Sequence, residues 1–206
     1  TPKPLLKLNN RTMLEICINT LIKLGVKKIY LNTFFLKNKI SDYIKEKKFS
    51  VDINIIEDGK NILDTGGGIL NLIKDIPDKN FFVFNPDTLW NESYVDEIKK
   101  MQNFYFSKKI NNLLLVVKKS LSFDKNLSGD FVLQNEKLKK NEKNSHIYIG
   151  CQILNKDLFK NYEVTSFSVS EVWNKLIEKN DLNGFESLNK FYHLTDLNTF
   201  KKLQDL

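Results

Sequence analysis

The sequence predicts an α/β protein with a mixed, mostly parallel central sheet flanked by helices. Three observations predict it. Segments with helical apolar spacing alternate with strand-like segments through the first half of the chain. Three adjacent glycines, Gly66, Gly67 and Gly68, stand between a strand and a helix. The uninterrupted apolar run Phe81-Phe82-Val83-Phe84 has the character of a central strand covered on both faces.

Taken in order, Pro2 and Pro4 hold the first residues extended, and Asn9-Asn10-Arg11 is a turn. A helix follows from Thr12, with Met13, Leu14, Ile16, Cys17, Leu21 and Leu24 at helical spacing. Thr12 and Glu15 fit a capping box, and Gly25 fits the position just past the helix end. Val26 to Asn32 reads as a strand. Phe34 to Lys47 reads as a helix with Phe35, Ile40, Tyr43 and Ile44 on one face. Val51 to Glu57 alternates like a half-buried strand, and Ile69 to Lys74 reads as the first turns of a helix. Pro77 to Asn80 is a turn, leading into the strand at Phe81. Tyr94 to Phe106 is helical and Leu113 to Val117 is a strand.

The second half departs from this alternation. Ser128 to Leu133 looks like a turn entering a strand, Lys137 to Asn144 a solvated hairpin tip, and His146 to Leu154 another strand. Two such antiparallel-looking strands make the sheet mixed. Ser168 to Glu178 is a helix, Phe191 to Leu194 is strand-like, and a last helix starts at Asn198. No repeat, low-complexity linker or domain boundary interrupts residues 1–206, so a single domain is expected.

The composition narrows the function classes. The 206 residues carry a formal charge of +7. There is no alanine and one arginine, Arg11, against abundant Lys, Asn and Ile, as in the product of an AT-rich genome. An arginine-poor surface is a weak reader of base edges, so no nucleic acid partner is expected. No apolar run approaches a membrane span, so no membrane partner is expected either. Cys17 and Cys151 lack metal spacing and read as buried thiols in a reducing compartment.

Asp64-Thr65-Gly66-Gly67-Gly68 takes three of the chain's eight glycines. Ordering three glycines together is entropically costly. Beside a helix N-terminus, bare backbone and free N–H groups suit an anion and a flat ring. A turn that only positions the helix fits the same residues. Asp87 follows the Phe81–Phe84 strand, where ligands of open α/β sheets gather. It also fits a simple turn residue.

Several motifs in order carry a resemblance. They are Thr1-Pro2-Lys3-Pro4-Leu5, Asp64-Thr65-Gly66-Gly67-Gly68, the apolar strand ending at Asp87, Gly129-Asp130-Phe131, and Ser166 to Trp173. The chain resembles the sugar-1-phosphate nucleotidylyltransferases, in particular the N-acetylmuramate-1-phosphate uridylyltransferase and mannose-1-phosphate guanylyltransferase-like group. The resemblance implies a Rossmann-like nucleotidyltransferase fold. It also implies transfer of a nucleoside monophosphate from UTP or GTP to a sugar-1-phosphate, with release of pyrophosphate. That is cytoplasmic nucleotide-sugar synthesis, of the kind that serves cell-wall sugars. Mg²⁺ is the implied cofactor, and a nucleoside triphosphate and a sugar-1-phosphate the implied partners. By the same resemblance Asp87 holds the metal and Lys3 meets the phosphates. Gly66, Gly67 and Gly68 pack on the nucleobase, with Thr65 and Asn85 near the nucleoside. Gly129, Asp130 and Gly150 lie near the sugar. His193 or Asp196 is the second metal ligand, with His193 favoured.

Departures from the family pattern set the alternative. The family's first strand and its Gly-x-Gly-x-Arg loop precede the Pro-Lys-Pro motif, so this sequence is expected to lack both and to leave a gap in the sheet. Pro86 stands where the family has Gly before the metal Asp, and the Asp-x-Gly-Thr motif near His193 is not preserved. A degenerate binding module that holds a nucleotide or sugar phosphate without turnover is therefore the alternative function.

Overall fold

The computed structural model describes residues 2–34 and 37–204, with the backbone alone at 197. Phe35, expected on the face of the second helix, lies outside the described residues, as does Thr1.

The chain opens with a short 3₁₀ turn at Lys3–Leu5 and a small hairpin of β1 (Lys7–Leu8) and β2 (Arg11–Thr12). Asn9 and Asn10 make its tip, both in the left-handed region that Asn tolerates. Thr12 caps α1 (Met13–Lys23), its hydroxyl accepting from the Glu15 N–H as the capping-box spacing predicts. Then come β3 (Lys28–Thr33), α2 (Lys37–Lys47), β4 (Asp52–Glu57), α3 (Asp64–Ile73) and β5 (Asn80–Phe84). The second half holds α4 (Glu92–Lys108), β6 (Asn112–Lys118), β7 (Val132–Gln134), β8 (Lys137–Lys139), β9 (His146–Asn155), α5 (Val169–Glu178), β10 (Gly184–Ser187) and α6 (Leu197–Gln204).

The main sheet has the order β10-β6-β9-β5. β9 runs antiparallel to both its neighbours, while β10 is parallel to β6, so β5, β6 and β10 point one way. β3 and β4 form a separate parallel pair. Among the described residues no ladder joins the pair to β5, yet the two sheets share cores on both faces. Leu31 of β3 and Phe82 and Phe84 of β5 pack in one cluster with α1 and α4. Tyr30 of β3 and Phe81 and Val83 of β5 pack in the other with α3 and α5. The two pieces are thus one layer between helices, with open backbone edges at β3 and β5.

That arrangement corrects the reading of Phe81–Phe84 as the covered central strand. β5 ends the main sheet and its apolar residues are only half-buried. The strand buried on both faces is β6, with Leu113 to Val117 at 0 % exposure. An apolar run shows that both faces can be covered, whereas centrality also needs two paired edges.

Other differences have local causes. α3 starts at Asp64 rather than after Gly68, so the three glycines form its first turns. The polar stretch from Lys137 is not the hairpin tip. Asn135 and Glu136 turn the chain with φ of 49° and 65°, and Lys137–Lys139 pairs back as β8. β10 went unread because Gly184-Phe185-Glu186-Ser187 has no alternation, and pairing with the buried β6 makes it a strand. Phe191–Leu194 forms isolated bridges, Ser122 to Phe191 and Thr88 to His193, rather than a strand.

Candidate active site

The loop after β5 is fixed from two sides. The Asn85 N–H donates to the Gly150 carbonyl at 2.7 Å, and the Thr88 hydroxyl donates to the Ile149 carbonyl at 2.8 Å. Both acceptors are on β9. Gly150 has φ of 86°, and a Cβ there would sit 2.8 Å from Asn85 Cβ and 3.1 Å from the Thr88 hydroxyl. Only glycine permits both this backbone conformation and this approach. On the other side, the Leu194 N–H donates to the Asp87 carbonyl at 2.8 Å and the Leu89 N–H to the Tyr192 carbonyl at 2.9 Å. The Trp90 indole closes the loop by donating to the Asn85 carbonyl at 3.1 Å.

This bracing puts the Asp87 carboxylate between two cationic or ligating groups. Lys3 Nζ lies 2.9 Å from Asp87 Oδ2. His193 Nδ1 lies 3.8 Å from the other oxygen, Oδ1, too far for a hydrogen bond. Asp87 Oδ1 and His193 Nδ1 are both buried without a hydrogen-bond partner among the described residues. Burial lowers the His193 pKa below its ordinary value; the Asp87 charge opposes this and Lys3 adds to it. The imidazole is therefore neutral at pH 7 and keeps a lone pair. Asp196 is placed differently: it caps α6, its carboxylate accepting from the Thr199 N–H at 2.7 Å. Its carboxyl is held below the usual range by that hydrogen bond.

Gly129 and Asp130 are held to the start of β9. Asp130 N–H donates to the His146 carbonyl, and Asp130 Oδ2 accepts from the Tyr148 N–H at 2.8 Å. Burial raises the Asp130 pKa, and the Tyr148 bond works against that rise. A Cβ on Gly129 would overlap the Asn144 carbonyl. Residues 146–150 of β9 thus carry Gly129 and Asp130 at one end and the Asp87 loop at the other.

The glycine triplet is a packing joint. The N–H groups of Gly66 and Gly67 both donate to the Phe167 carbonyl, at 2.9 and 3.1 Å. The Thr65 hydroxyl accepts from the Val169 N–H at 3.0 Å, at the start of α5. A Cβ on Gly66 would overlap the Phe167 ring, and one on Gly67 the Thr165 carbonyl. Gly68 faces Asn32 of β3, whose side-chain nitrogen would be 2.9 Å from a Cβ. No hydrogen bond links this group to the Lys3, Asp87 and His193 group among the described residues.

Tyr148 was not singled out from the sequence. Its hydroxyl is buried and unpartnered. Burial pushes its phenol well above the ordinary value, and the charge of Asp87 adds to the shift. Strand alternation was the available signal, since Tyr148, Gly150 and Gln152 share one face of β9. Asp124 also escaped notice; it accepts from the Thr195 hydroxyl at 3.0 Å, and its charge reaches His193. Nothing in its local sequence marks it.

Among the described residues no group of three or more His, Cys, Asp or Glu side chains converges as a metal centre. The Asp87–His193 pair can offer one carboxylate oxygen and one imidazole nitrogen. An ion there would complete its shell with water and ligand oxygens, as Mg²⁺ commonly does.

Comparison with known proteins agrees with this architecture. A family model described as nucleotidyl transferase matches residues 1–121. The chain is 32% identical over 202 residues to a bifunctional protein GlmU from Methanococcus maripaludis, spanning 93% of this chain and 46% of that relative. It is 26% identical over 175 residues to a D-glycero-alpha-D-manno-heptose 1-phosphate guanylyltransferase from Campylobacter jejuni, covering 82% and 74% of the two chains. The crystal structure of HddC from Yersinia pseudotuberculosis superposes with a TM-score of 0.76 at 20% identity, over 100% of this chain and 89% of that one. The likeness to HddC establishes the Rossmann-like fold, and the sequence matches establish that the chain belongs to the nucleotidyl transferase family.

Proposed function

We propose that the protein transfers a nucleoside monophosphate from UTP or GTP to a sugar-1-phosphate. The observation that carries this reading is the Asp87–His193 pair, two buried ligand atoms without partners, with Lys3 on the second carboxylate oxygen. The family membership and the printed activity of the heptose-1-phosphate relative support it. The chain spans under half of the GlmU relative, whose further functions are not carried over.

In the reaction an oxygen of the sugar phosphate bonds to the α-phosphorus while the bond to the bridging oxygen breaks, and pyrophosphate leaves. No covalent enzyme intermediate is needed, so positioning and charge are what the protein supplies. Asp87 and His193 would hold one divalent cation, Mg²⁺ in this proposal, and a neutral His193 is ready to ligate. When bound, that cation supplies charge neutralisation to phosphate oxygens. Lys3 adds a second positive charge beside it. Asn85, with both backbone groups engaged, keeps its side-chain amide for the nucleoside. Thr65, Gly66, Gly67 and Gly68 form the nucleobase side, where the packing on Phe167 fixes the first turn of α3. Gly129, Asp130 and Gly150, all anchored through β9, line the sugar side. Residues 1–206 act as one domain. The setting is the cytoplasm, and the product a nucleotide sugar of the kind used for cell walls.

The test is pyrophosphate release from each nucleoside triphosphate paired with a panel of sugar-1-phosphates, with and without Mg²⁺. Turnover that needs the ion and falls at least about 10²-fold in Asp87→Asn is the expected result. Nucleotide or sugar-phosphate binding that survives Asp87→Ala, with no turnover for any pair, would assign the chain to the non-catalytic alternative.

A further inference from the structure

A cavity of about 470 Å³ lies on the far side of the segment that follows Asp87. α1 forms one wall through Ile16, Asn19, Thr20 and Lys23, and the start of α4 forms the facing wall through Asn91, Glu92 and Val95. Leu89 and Tyr192, half-buried, make an apolar floor, backed by Trp90 and Leu203, each only 2 % exposed. The β1–β2 hairpin closes one end with Asn9 and Arg11. The volume falls within the range of small-molecule sites, and the lining divides evenly between polar and apolar residues.

Charge decides what fits. Three charged side chains line the cavity: Arg11, Lys23 and Glu92. Lys23 and Glu92 pair with each other across the two helices. Arg11 makes no hydrogen bond or ion pair among the described residues. The acidic group whose field it feels, Glu15, is engaged by Lys47 at 3.0 Å and Tyr43 at 2.6 Å. The rim therefore carries one uncompensated positive charge, and that charge is the chain's only guanidinium. A guanidinium binds phosphate and carboxylate through two parallel hydrogen bonds. Asn9, Asn19 and Asn91 also line the cavity and bring amide donors to it.

We propose that this cavity is a second ligand site, taking a small organic oxyanion with its charged head on Arg11 and its apolar body on Leu89 and Tyr192, directly above the buried Trp90. The site is separate from the Asp87 centre and does not depend on the transferase reading. Its floor is nonetheless tied to that centre. The Trp90 indole donates to Asn85, and Leu89 is bonded to Tyr192, the neighbour of His193. An occupant would press on the loop that holds Asp87 and would change the surroundings of the Trp90 indole.

Phenyl phosphate, benzoate and inorganic phosphate serve as probes of the full chain, read by the two indole N–H signals in nitrogen-15 spectra. Trp173→Phe assigns the signals. The expected result is a saturable shift of the Trp90 signal with phenyl phosphate or benzoate. Whichever binds tighter identifies the head group. Inorganic phosphate lacks the apolar body and should bind at least about tenfold more weakly. Arg11→Gln should weaken phenyl phosphate at least about tenfold, the loss expected of a charge-assisted pair. Asn19→Phe, which fills the cavity, should abolish the shift. Asp87→Asn should leave the affinity within about twofold, because that carboxylate is outside the cavity. No saturable shift with either organic probe overturns the proposal. So does a shift that persists in Arg11→Gln and disappears in Asp87→Asn, since that pattern places the probe at the Asp87 centre.

Discussion

Gly67→Ala tests whether the glycine triplet is a packing joint. A Cβ at Gly67 would overlap the Thr165 carbonyl, which is backbone and cannot rotate away. To relieve the overlap, residues 163–168 must move off the first turn of α3. That movement breaks the bonds from Gly66 and Gly67 to the Phe167 carbonyl and threatens the Thr65 to Val169 bond. Overpacking of this kind costs about 1–3 kcal/mol. Each neutral hydrogen bond lost adds about 1 kcal/mol. Alanine returns about 1 kcal/mol through helix propensity. The packing terms win, and the net expectation is a loss of about 2–4 kcal/mol. For a chain of this size that corresponds to a fall in Tm of roughly 5–15 °C.

Gly68→Ala is the internal control. Its Cβ would be 2.9 Å from the side-chain nitrogen of Asn32, which can turn aside at the cost of its exposed hydrogen bond to Asp58. The helix gain then nearly offsets the contact, and stability should stay within about 1 kcal/mol of wild type. Circular dichroism melts of the two variants beside wild type give the answer. A Gly67→Ala protein as stable as wild type, or more so, would refute the packing of residues 163–168 on α3.

Three further outcomes follow from the same geometry. Gly150→Ala forces a side chain into φ of 86° and within 2.8 Å of Asn85, so it should lower Tm and weaken divalent-ion binding together, read by calorimetry with Mn²⁺; a stable variant with unchanged ion affinity would contradict the bracing of the Asp87 loop by β9. His193 has its pKa lowered by burial, so the unfolded chain binds more protons than the folded one as pH falls through the ordinary histidine value of about 6.5, and stability declines there and is flat above it. Urea midpoints measured across that window should show a slope in wild type that is reduced in His193→Gln, and an equal slope in both would refute the assignment. Burial pushes the Cys17 thiol up to about 12 and Cys151 well above its ordinary value, so neither should react with a thiol reagent until the protein unfolds; fast labelling of native protein would show that the core beside Asp87 opens.

Local signals were readable where local chemistry decides. The Thr12–Glu15 capping box, the Asn9-Asn10 turn and the helical faces of α1 and α5 follow from short-range sterics and spacing. Long-range pairing was not readable. Whether Phe81–Phe84 is central depends on which strands lie beside it, and its apolar run is the same in either position. The start of α3 was misplaced because three glycines disfavour a helix locally, while the Phe167 carbonyl and ring stabilise one there. The candidate site shows the same division. Position after a strand leaves Asp87 open between a ligand and a turn residue, and only the resemblance favours the ligand. The choice between His193 and Asp196 is also open in the sequence, and the fold brings His193 beside Asp87 while Asp196 caps α6. Tyr148 and Asp124 gain their relevance from neighbours more than 50 residues away in sequence, which no local pattern records.

The antiparallel β9 explains why the candidate residues meet where they do. In a sheet whose other strands run one way, their C-terminal ends gather at one edge, and β9 brings its N-terminal residues to that same edge. His146 and Tyr148 there anchor Asp130, and Ile149 and Gly150 anchor Asn85 and Thr88. Between Leu114 and Val116 of β6 the partner strand β9 runs from Gln152 to Tyr148, so β9 carries two extra residues around Gly150 on its β6 side. On its other side the register with β5 is unbroken, and the bond from the Asn85 N–H to the Gly150 carbonyl continues the ladder one step past Phe84 and Cys151. That step carries the ladder into the loop and gives Asp87 its nearest support. The position of the carboxylate therefore depends less on Asp87's own neighbours in sequence than on one glycine 63 residues later.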